Sequence, residues 1–192
     1  RAHLHFLASG GTAYSLFAEL LGRDDGCSGG FGGSMHLCDL ESGFLGSTAI
    51  VGNSIPVGVG AALSAQLKSQ NVATWIFFGD GAVEEGVFYE ALNFAVVHRL
   101  GAIFVCENNG LSVYSDMTDR QPSDRAISSM AQAIGSKAYL VEEITPASVL
   151  SSQERARQEA LGGNGPVFLE FPSFRFLEHC GPNNDDHLEY RS

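Results

Sequence analysis

The chain has 192 residues, 44% hydrophobic and 17% charged, which is enough apolar material for one domain with a sizeable core. Its formal net charge of −11 argues against nucleic acid and anionic membrane as partners, because both are bound through basic patches. Glycines break the longest apolar run, near residues 57–62, well short of a membrane span.

The N-terminal RAHLHF has neither the apolar core nor the cleavage site of a signal peptide, and residues 1–3 read by pattern as a frayed end. Cys27, Cys38, Cys106 and Cys180 show no CxxC spacing and no matching His pattern, so free or buried thiols in a reducing cytoplasm are expected. Thr12 can cap a helix whose apolar positions Leu16, Phe17, Leu20 and Leu21 follow helical spacing, with Gly22 ending it. Residues 26–33 are dense in glycine and read either as a flexible connection or as an ordered loop.

A helix is predicted over about residues 56–68, with Asn53 or Ser54 as its cap and Pro56 in its first turn. Its Gly58, Gly60, Ala61, Ala62, Ser64 and Ala65 are small, and glycine is costly in a helix interior. Close approach of another element is the expected compensation. A dinucleotide fingerprint at Gly58-Val59-Gly60 fails, because the third glycine is absent and the glycines lie inside the helix.

The centre of the chain is residues 74–109. TWIFF reads as a strand, followed by Gly79-Asp80-Gly81, a helix over about residues 84–99, the strand AIFVCE, and Asn108-Asn109-Gly110. Two strands joined by a crossover helix pair in parallel, with a right-handed connection. Asp80 and Asn109, 29 positions apart, then sit just past the carboxyl ends of neighbouring strands, where open α/β sheets bind ligands. Their carboxylate and amide oxygens suit Mg²⁺, which keeps open positions for phosphates. Gly79 and Gly81 permit close approach, and the following helix would turn its positive end to an anion. On that helix Val87, Ala91, Phe94, Ala95 and His98 share one face, extended by Phe88 and Leu92. Glu84 and Glu85 suit its positive end, a structural reason sufficient in itself.

Further on, Ser123 is expected to cap a helix with Ile127, Met130, Ala131 and Ile134 on one face and Gly135 as its stop. A strand is predicted over residues 138–141, a helix from Thr145-Pro146 to Gly162, and a buried strand at PVFLEF, residues 166–171. The fold class is therefore α/β, a doubly wound and mostly parallel sheet flanked by helices. The segment after Ser173 reads as a polar loop past a strand end.

GDG and NN at this spacing resemble the thiamine diphosphate motif. With GGSMHL, IVGNSIP, GDGAVEEG, CENNG and RFLEHCGPN, nearly the whole chain resembles the alpha subunit of the thiamine-dependent 2-oxo acid dehydrogenases, which include the pyruvate and acetoin enzymes. The resemblance implies one thiamine diphosphate-binding domain over residues 1–192, without the family's N- and C-terminal segments. It implies the cofactors thiamine diphosphate and Mg²⁺, with Asp80, Asn109 and the main-chain carbonyl of Leu111 on the metal. Cofactor contacts implied are Arg1, His3, the backbone of Ala49 and Val51, Gly79, Asp80, Gly81, Ala82, Asn109, His179, and Val113 as a wedge under the bent cofactor. His36 and His179 are the implied catalytic histidines, and Arg175 matches a basic neighbour of the latter. Cys180 stands where regulated animal members carry a serine, so that phosphorylation switch is expected to be absent.

The implied activity is oxidative decarboxylation of a 2-oxo acid, with acyl transfer to a lipoyl domain. The resemblance also implies that the carboxylate activating the aminopyrimidine comes from a separate beta subunit, in a heterotetramer, and the chain offers no candidate for it. Alternatives are an acetoin dehydrogenase-type alpha subunit, a non-catalytic Mg²⁺-diphosphate-binding subunit, or a thiamine enzyme acting alone.

Overall fold

The structure is a computed structural model and describes residues 2–188 and 190. It divides into two compact units, Arg1–Ser54 and Ile55–Ser192.

In the first unit, helices α1 (Ala2–Ala8) and α2 (Ala13–Leu20) pack around a small core of Phe6, Leu16 and Leu37. Phe6 is fully buried and meets Phe44 edge-on, with ring centroids 5.6 Å apart. That anchor makes a helix of residues 2–8, where a frayed end was expected. Arg1 lies outside the described residues. Thr12 caps α2 as expected, accepting a hydrogen bond from the Ser15 N–H at 3.0 Å. The buried face differs from the expected one: Leu16, Ala18 and Glu19 are buried, while Phe17, Leu20 and Leu21 are exposed.

Glu19 explains the difference. Its carboxylate accepts backbone N–H bonds from Ser28 (2.7 Å), Gly30 (2.9 Å), Gly32 (2.5 Å) and Gly33 (3.2 Å). A buried charge is tolerated when its hydrogen-bonding capacity is filled, and here the glycine-dense loop fills it. The loop is thus ordered around an anion. Gly30 (φ +79°) could not be replaced without strain, since a Cβ there would lie 2.7 Å from the Gly22 carbonyl carbon. Burial alone would raise the Glu19 carboxyl, but the N–H groups of Gly30, Ser28, Gly32 and Gly33 outweigh it and hold the group below the ordinary carboxylate range.

The second unit carries the sheet. Helix α3 (Ser54–Leu67) precedes β1 (Thr74–Gly79), a 3₁₀ turn (Asp80–Glu84), α4 (Gly86–Val97) and β2 (Ala102–Asn108). A short hairpin, β3 (Leu111–Ser112) and β4 (Ser115–Asp116), leads into α5 (Met117–Arg120) and α6 (Ile127–Ile134). Then come β5 (Lys137–Leu140), α7 (Pro146–Leu161) and β6 (Val167–Pro172). The four long strands form one parallel sheet in the order β1-β2-β6-β5. One face packs α3, α4 and α6 against Ile76, Phe78, Phe104, Cys106 and Phe168; the other packs α7 against Ile103, Val105, Val167 and Leu169. Both crossovers, β1-α4-β2 and β5-α7-β6, place their helices on opposite faces, which is the doubly wound arrangement expected.

Details of the helices depart from the pattern. A 3₁₀ turn separates Asp80 from α4, so the α-helix does not follow the GDG turn directly. The buried stripe of α4 is Phe88, Ala91, Leu92 and Ala95, whereas Phe94 is 40% exposed. Phe88 and Leu92 have the larger apolar payload and face the ring cluster of Phe78 and Phe168, so they decide the rotation. Gly58 of α3 behaves as expected: a Cβ would fall 2.6 Å from Ile76 Cγ1, so glycine is what lets this helix lie on β1. Helix α7 opens with a capping box between Thr145 and Ser148. Helix α6 begins after Ala126, with no side-chain cap of its own, and Ser123 does not cap it; Gly135 ends it at φ +111° as expected.

We expect Glu19→Gln to lower the stability of the chain by at least about 2 kcal/mol, because hydrogen bonds to a charged acceptor are worth about 1.5–3 kcal/mol each. The effect depends on pH. A folded carboxyl held below its unfolded value contributes fully above about pH 4.3, and the contribution is lost as pH falls through the lowered folded value. Urea midpoints of the two proteins should therefore converge on acidification; a gap constant down to about pH 3 would contradict the charge argument.

Candidate functional site

Asp80 follows β1 and Asn109 follows β2. The parallel register pairs Gly79 with Glu107, so the two residues leave adjacent strands at the same end of the sheet. The chain then joins them directly: the Asn109 N–H donates to Asp80 Oδ1 at 3.3 Å. Asp80 is 1% exposed. Burial raises its carboxyl, and the Arg120 guanidinium opposes that; the net position is above the ordinary carboxylate range.

The Asn-Asn-Gly turn is built from its own side chains. Asn108 Oδ1 accepts from the Gly110 N–H at 3.0 Å, and Asn109 Oδ1 accepts from the Leu111 N–H at 2.9 Å. These are consecutive Asx turns, and Gly110 at φ +72° completes the reversal. The chain then enters the β3–β4 hairpin, whose Ser112 hydroxyl packs against Gly81; a Cβ on Gly81 would lie 2.8 Å from it. Glycine at 81 is thus explained by a protein neighbour. At Gly79 a Cβ would meet only the Glu107 carbonyl oxygen, at 3.9 Å, so no neighbour demands glycine there.

Arg120 is the residue that sequence reasoning missed. Asp116 caps the short α5 by accepting from the Thr118 N–H at 2.8 Å, and α5 delivers Arg120 back to the turn. Its Nη2 donates to Asp80 Oδ2 at 2.7 Å and its Nη1 pairs with Glu84. Gln121 Nε2 also donates to Glu84, at 3.0 Å, while Gln121 Oε1 is buried with no donor among the described residues. Glu84 therefore closes a charge network, beyond the helix-end role expected for it. The available signal was scarcity: with 11 Lys and Arg in 192 residues, a cation ten positions past Gly110 stands out.

Oxygen donors from Asp80, Asn109 and the Leu111 carbonyl are hard ligands of the kind Mg²⁺ selects. The Arg120 guanidinium stands where a cation would compensate Asp80. The donor set therefore fits a divalent metal. Among the described residues no group of three or more His, Cys, Asp or Glu could hold a metal ion.

Val113 has φ +57°, a left-handed conformation that is strained for a β-branched residue. Arg175 Nη2 donates to its carbonyl at 2.7 Å and to Tyr190 Oη at 2.7 Å, and Arg175 Nη1 lies 3.5 Å from His179 Nδ1. Through Arg175 the structure brings Val113 and His179 together. The Ser173 N–H donates to the Asn108 carbonyl at 2.7 Å, tying the start of the His179 loop to the end of β2. Gly79, Asp80, Gly81, Ala82, Asn109, Leu111, Val113 and His179 all belong to the second unit.

His3, His36, Ala49 and Val51 belong to the first unit. His3 on α1 has its Nε2 2.9 Å from the Ser34 carbonyl oxygen. His36 is exposed at the end of the glycine loop, whose fold fixes its backbone: its N–H donates to Gly32 and its carbonyl accepts from Ser28 Oγ. Ala49 and Val51 are exposed in the segment before α3.

Comparison with known proteins shows the family of the chain. The family described as Dehydrogenase E1 component matches residues 1–192. A mitochondrial pyruvate dehydrogenase E1 component subunit alpha from Solanum tuberosum is 39% identical, over 93% of this chain and 45% of its own length. The pyruvate dehydrogenase E1 component subunit alpha of Zymomonas mobilis is 34% identical, over 100% of this chain and 53% of its own length. The alpha subunit of the acetoin:2,6-dichlorophenolindophenol oxidoreductase of Bacillus subtilis is 35% identical, over 93% of this chain and 54% of its own length. The chain thus spans about half the length of these relatives. Among solved structures, a transketolase from Pichia stipitis matches 66% of this chain and 20% of its own, with TM-score 0.58 and 22% identity. A candidate thiamin diphosphate-dependent enzyme from Mycobacterium smegmatis matches 69% of this chain and 24% of its own, with TM-score 0.51 and 24% identity. Those two likenesses concern the fold, whereas the family match runs the full length of the sequence: the chain belongs to the dehydrogenase E1 component family.

Proposed function

We propose that the chain is the cofactor-anchoring part of an alpha subunit that, with a separate beta subunit, carries out thiamine diphosphate- and Mg²⁺-dependent oxidative decarboxylation of a pyruvate-like 2-oxo acid and passes the acyl group to a lipoyl domain. One observation carries the reading: Asp80 and Asn109, hydrogen-bonded to each other, lie at the carboxyl ends of two neighbouring parallel strands. The names of the potato and Zymomonas relatives support pyruvate chemistry, and that of the Bacillus relative supports an acetoin-type enzyme as the second reading.

When bound, thiamine diphosphate supplies the carbon nucleophile and the electron sink for decarboxylation. The residues of this chain hold and orient it. Asp80, Asn109 and the Leu111 carbonyl would hold Mg²⁺, and Gly79, Gly81 and Ala82 line its approach. Val113 would support the bent cofactor, held by Arg175. His179, on the loop that Ser173 ties to β2, would hold or pass a proton during acyl transfer. His36 as a catalytic residue, and Arg1, His3, Ala49 and Val51 as cofactor contacts, enter this reading through the family resemblance; Arg1 lies outside the described residues. The cytoplasmic placement belongs to the same reading, supported by four free thiols.

Four outcomes test it. Calorimetric titration of thiamine diphosphate, alone and with a co-produced beta subunit, should show saturable binding that needs Mg²⁺. Asp80→Ala should weaken that binding by more than the roughly ten- to hundredfold typical of losing a supporting group; unchanged affinity would end the metal assignment. His179→Ala should leave the affinity in place and slow acyl transfer about 10²- to 10⁴-fold; an unaltered rate would reduce the loop to scaffold. Arg120→Met should destabilise the metal-free chain by about 3–5 kcal/mol, as removal of one member of a buried ion pair does. Added Mg²⁺ should recover most of that loss in a thermal-shift assay, whereas a loss indifferent to Mg²⁺ would separate Arg120 from the cation site.

A further inference from the structure

Glu170 is a buried carboxylate on the inner strand β6, 6% exposed, and no step proposed above uses it. The strand alternation turns Glu170 to the same face as Phe168, the face covered by α3, α4 and α6. There it accepts two hydrogen bonds from different elements. Its Oε2 takes the Ser128 N–H at 2.9 Å, and its Oε1 takes Asn108 Nδ2 at 2.8 Å.

The first bond supplies what α6 lacks. Ala126 at its N-cap offers no side-chain acceptor, and Ser128 is its second residue, with an otherwise orphaned N–H. Glu170 caps this helix from a strand 42 residues away. The second bond reaches the NNG turn. An ionised carboxylate only accepts, so it selects the Nδ2 side of Asn108. That choice directs Asn108 Oδ1 to the Gly110 N–H, at 3.0 Å. The turn so formed presents Asn109, whose N–H reaches Asp80 and whose Oδ1 receives the Leu111 N–H.

We propose that Glu170 is a positioning residue that fixes the side-chain orientation of Asn108 and thereby the Asn-Asn-Gly turn, coupling the start of α6 to the residues assigned to Mg²⁺. The link to Mg²⁺ rests on the reading under Proposed function; the control of the turn does not. A glutamine at 170 has one accepting and one donating end. If its carbonyl stays on the Ser128 N–H, its amide faces the Asn108 amide, donor to donor. Asn108 must then turn over, which sets its own donor against the Gly110 N–H. Changing Asn108 to aspartate restores an acceptor toward both neighbours, so the double change keeps all three hydrogen bonds with the donor and acceptor exchanged.

The experiment is amide hydrogen exchange of the full chain by NMR, with Mg²⁺-dependent thiamine diphosphate titration in parallel, on wild type, Glu170→Gln and Glu170→Gln/Asn108→Asp. Glu170→Gln should speed exchange at Gly110 about two- to tenfold, as expected for a lost hydrogen bond to the neutral Asn108 amide oxygen. It should also weaken Mg²⁺-dependent binding by about ten- to a hundredfold, as removal of an outer-shell partner does. The double variant should return both toward wild type, a rescue that generic loss of stability would not produce. Unchanged Gly110 exchange in the single variant, or a double variant no better than the single, overturns the proposal. Wild type that fails to bind while the exchange pattern holds counts against the Mg²⁺ reading and supports Glu170's control of the turn. Should Glu170→Gln fail to fold, a folded double variant supports the proposal and an unfolded one overturns it.

Discussion

The parallel pairing of β1 with β2 is the constraint on which the site depends. Residue 79 faces residue 107 across that ladder, and only this register places Asp80 and Asn109 within reach of one backbone hydrogen bond. The register is held by burial on both faces. Ile76 and Phe78 enter the cluster with Phe104, Cys106 and Phe168, while Trp75 and Phe77 turn to the face with Ile103, Val105 and Leu169. A slip of one residue would exchange these two sets. It would also destroy the fit of α3, whose Gly58 lies directly over Ile76. A glycine in a helix 22 positions before Asp80 is in this way part of what positions the carboxylate.

Around that carboxylate the donors and acceptors are matched almost completely. Asp80 receives one backbone N–H and one guanidinium N–H, and Arg120 shares its remaining donors with Glu84 and the carbonyls of Ser115 and Asp116. In a low-dielectric site the cost of leaving either charge unpaired exceeds the net gain of pairing them. Two acidic residues converge there, in a chain with net charge −11, so a cation is an electrostatic requirement. The chain supplies one itself, on a helix of four residues that Asp116 caps. Cys106, close to both Asp80 and Glu170, is kept neutral by burial, which pushes its thiol well up, so it acts as packing.

The sheet strands and the GDG–NNG placement were legible because each rests on a local signal of short range: runs of β-branched and aromatic residues, turn residues after them, and a spacer of one helix length. Thr12, Thr145 and Gly135 were legible as caps for the same reason. What was not legible depends on partners distant in sequence. Phe17 and Leu21 fit an apolar helix face, yet Glu19 is the residue buried, because four N–H groups from residues 28–33 solvate its charge. Ser123 had the right chemistry for a cap, yet α6 begins only after Ala126, and its Ser128 N–H is met by Glu170. Arg120 carries no motif, and its position follows from a hairpin and a four-residue helix too short for periodicity to reveal. Pattern reading singled out Asp80 and Asn109 as candidates and missed the groups that orient them, since orientation is tertiary.

The strain at Val113 shows how those orienting groups combine. A left-handed β-branched residue costs on the order of 1–3 kcal/mol and persists only where its surroundings over-determine it. Here three features do so. The β3–β4 hairpin closes on either side of Val113, the Met117 N–H returns to the Gly110 carbonyl at 2.8 Å, and Arg175 holds the Val113 carbonyl from the loop that carries His179. Releasing any one of them would let Val113 relax toward ordinary backbone angles and would carry the Arg175 contact with it. The NNG turn, the hairpin and the His179 loop therefore behave as one mechanical unit, anchored at Asn108, whose carbonyl takes the Ser173 N–H and whose side chain is oriented by Glu170. Hydrogen bonds tie the two ends of that unit together.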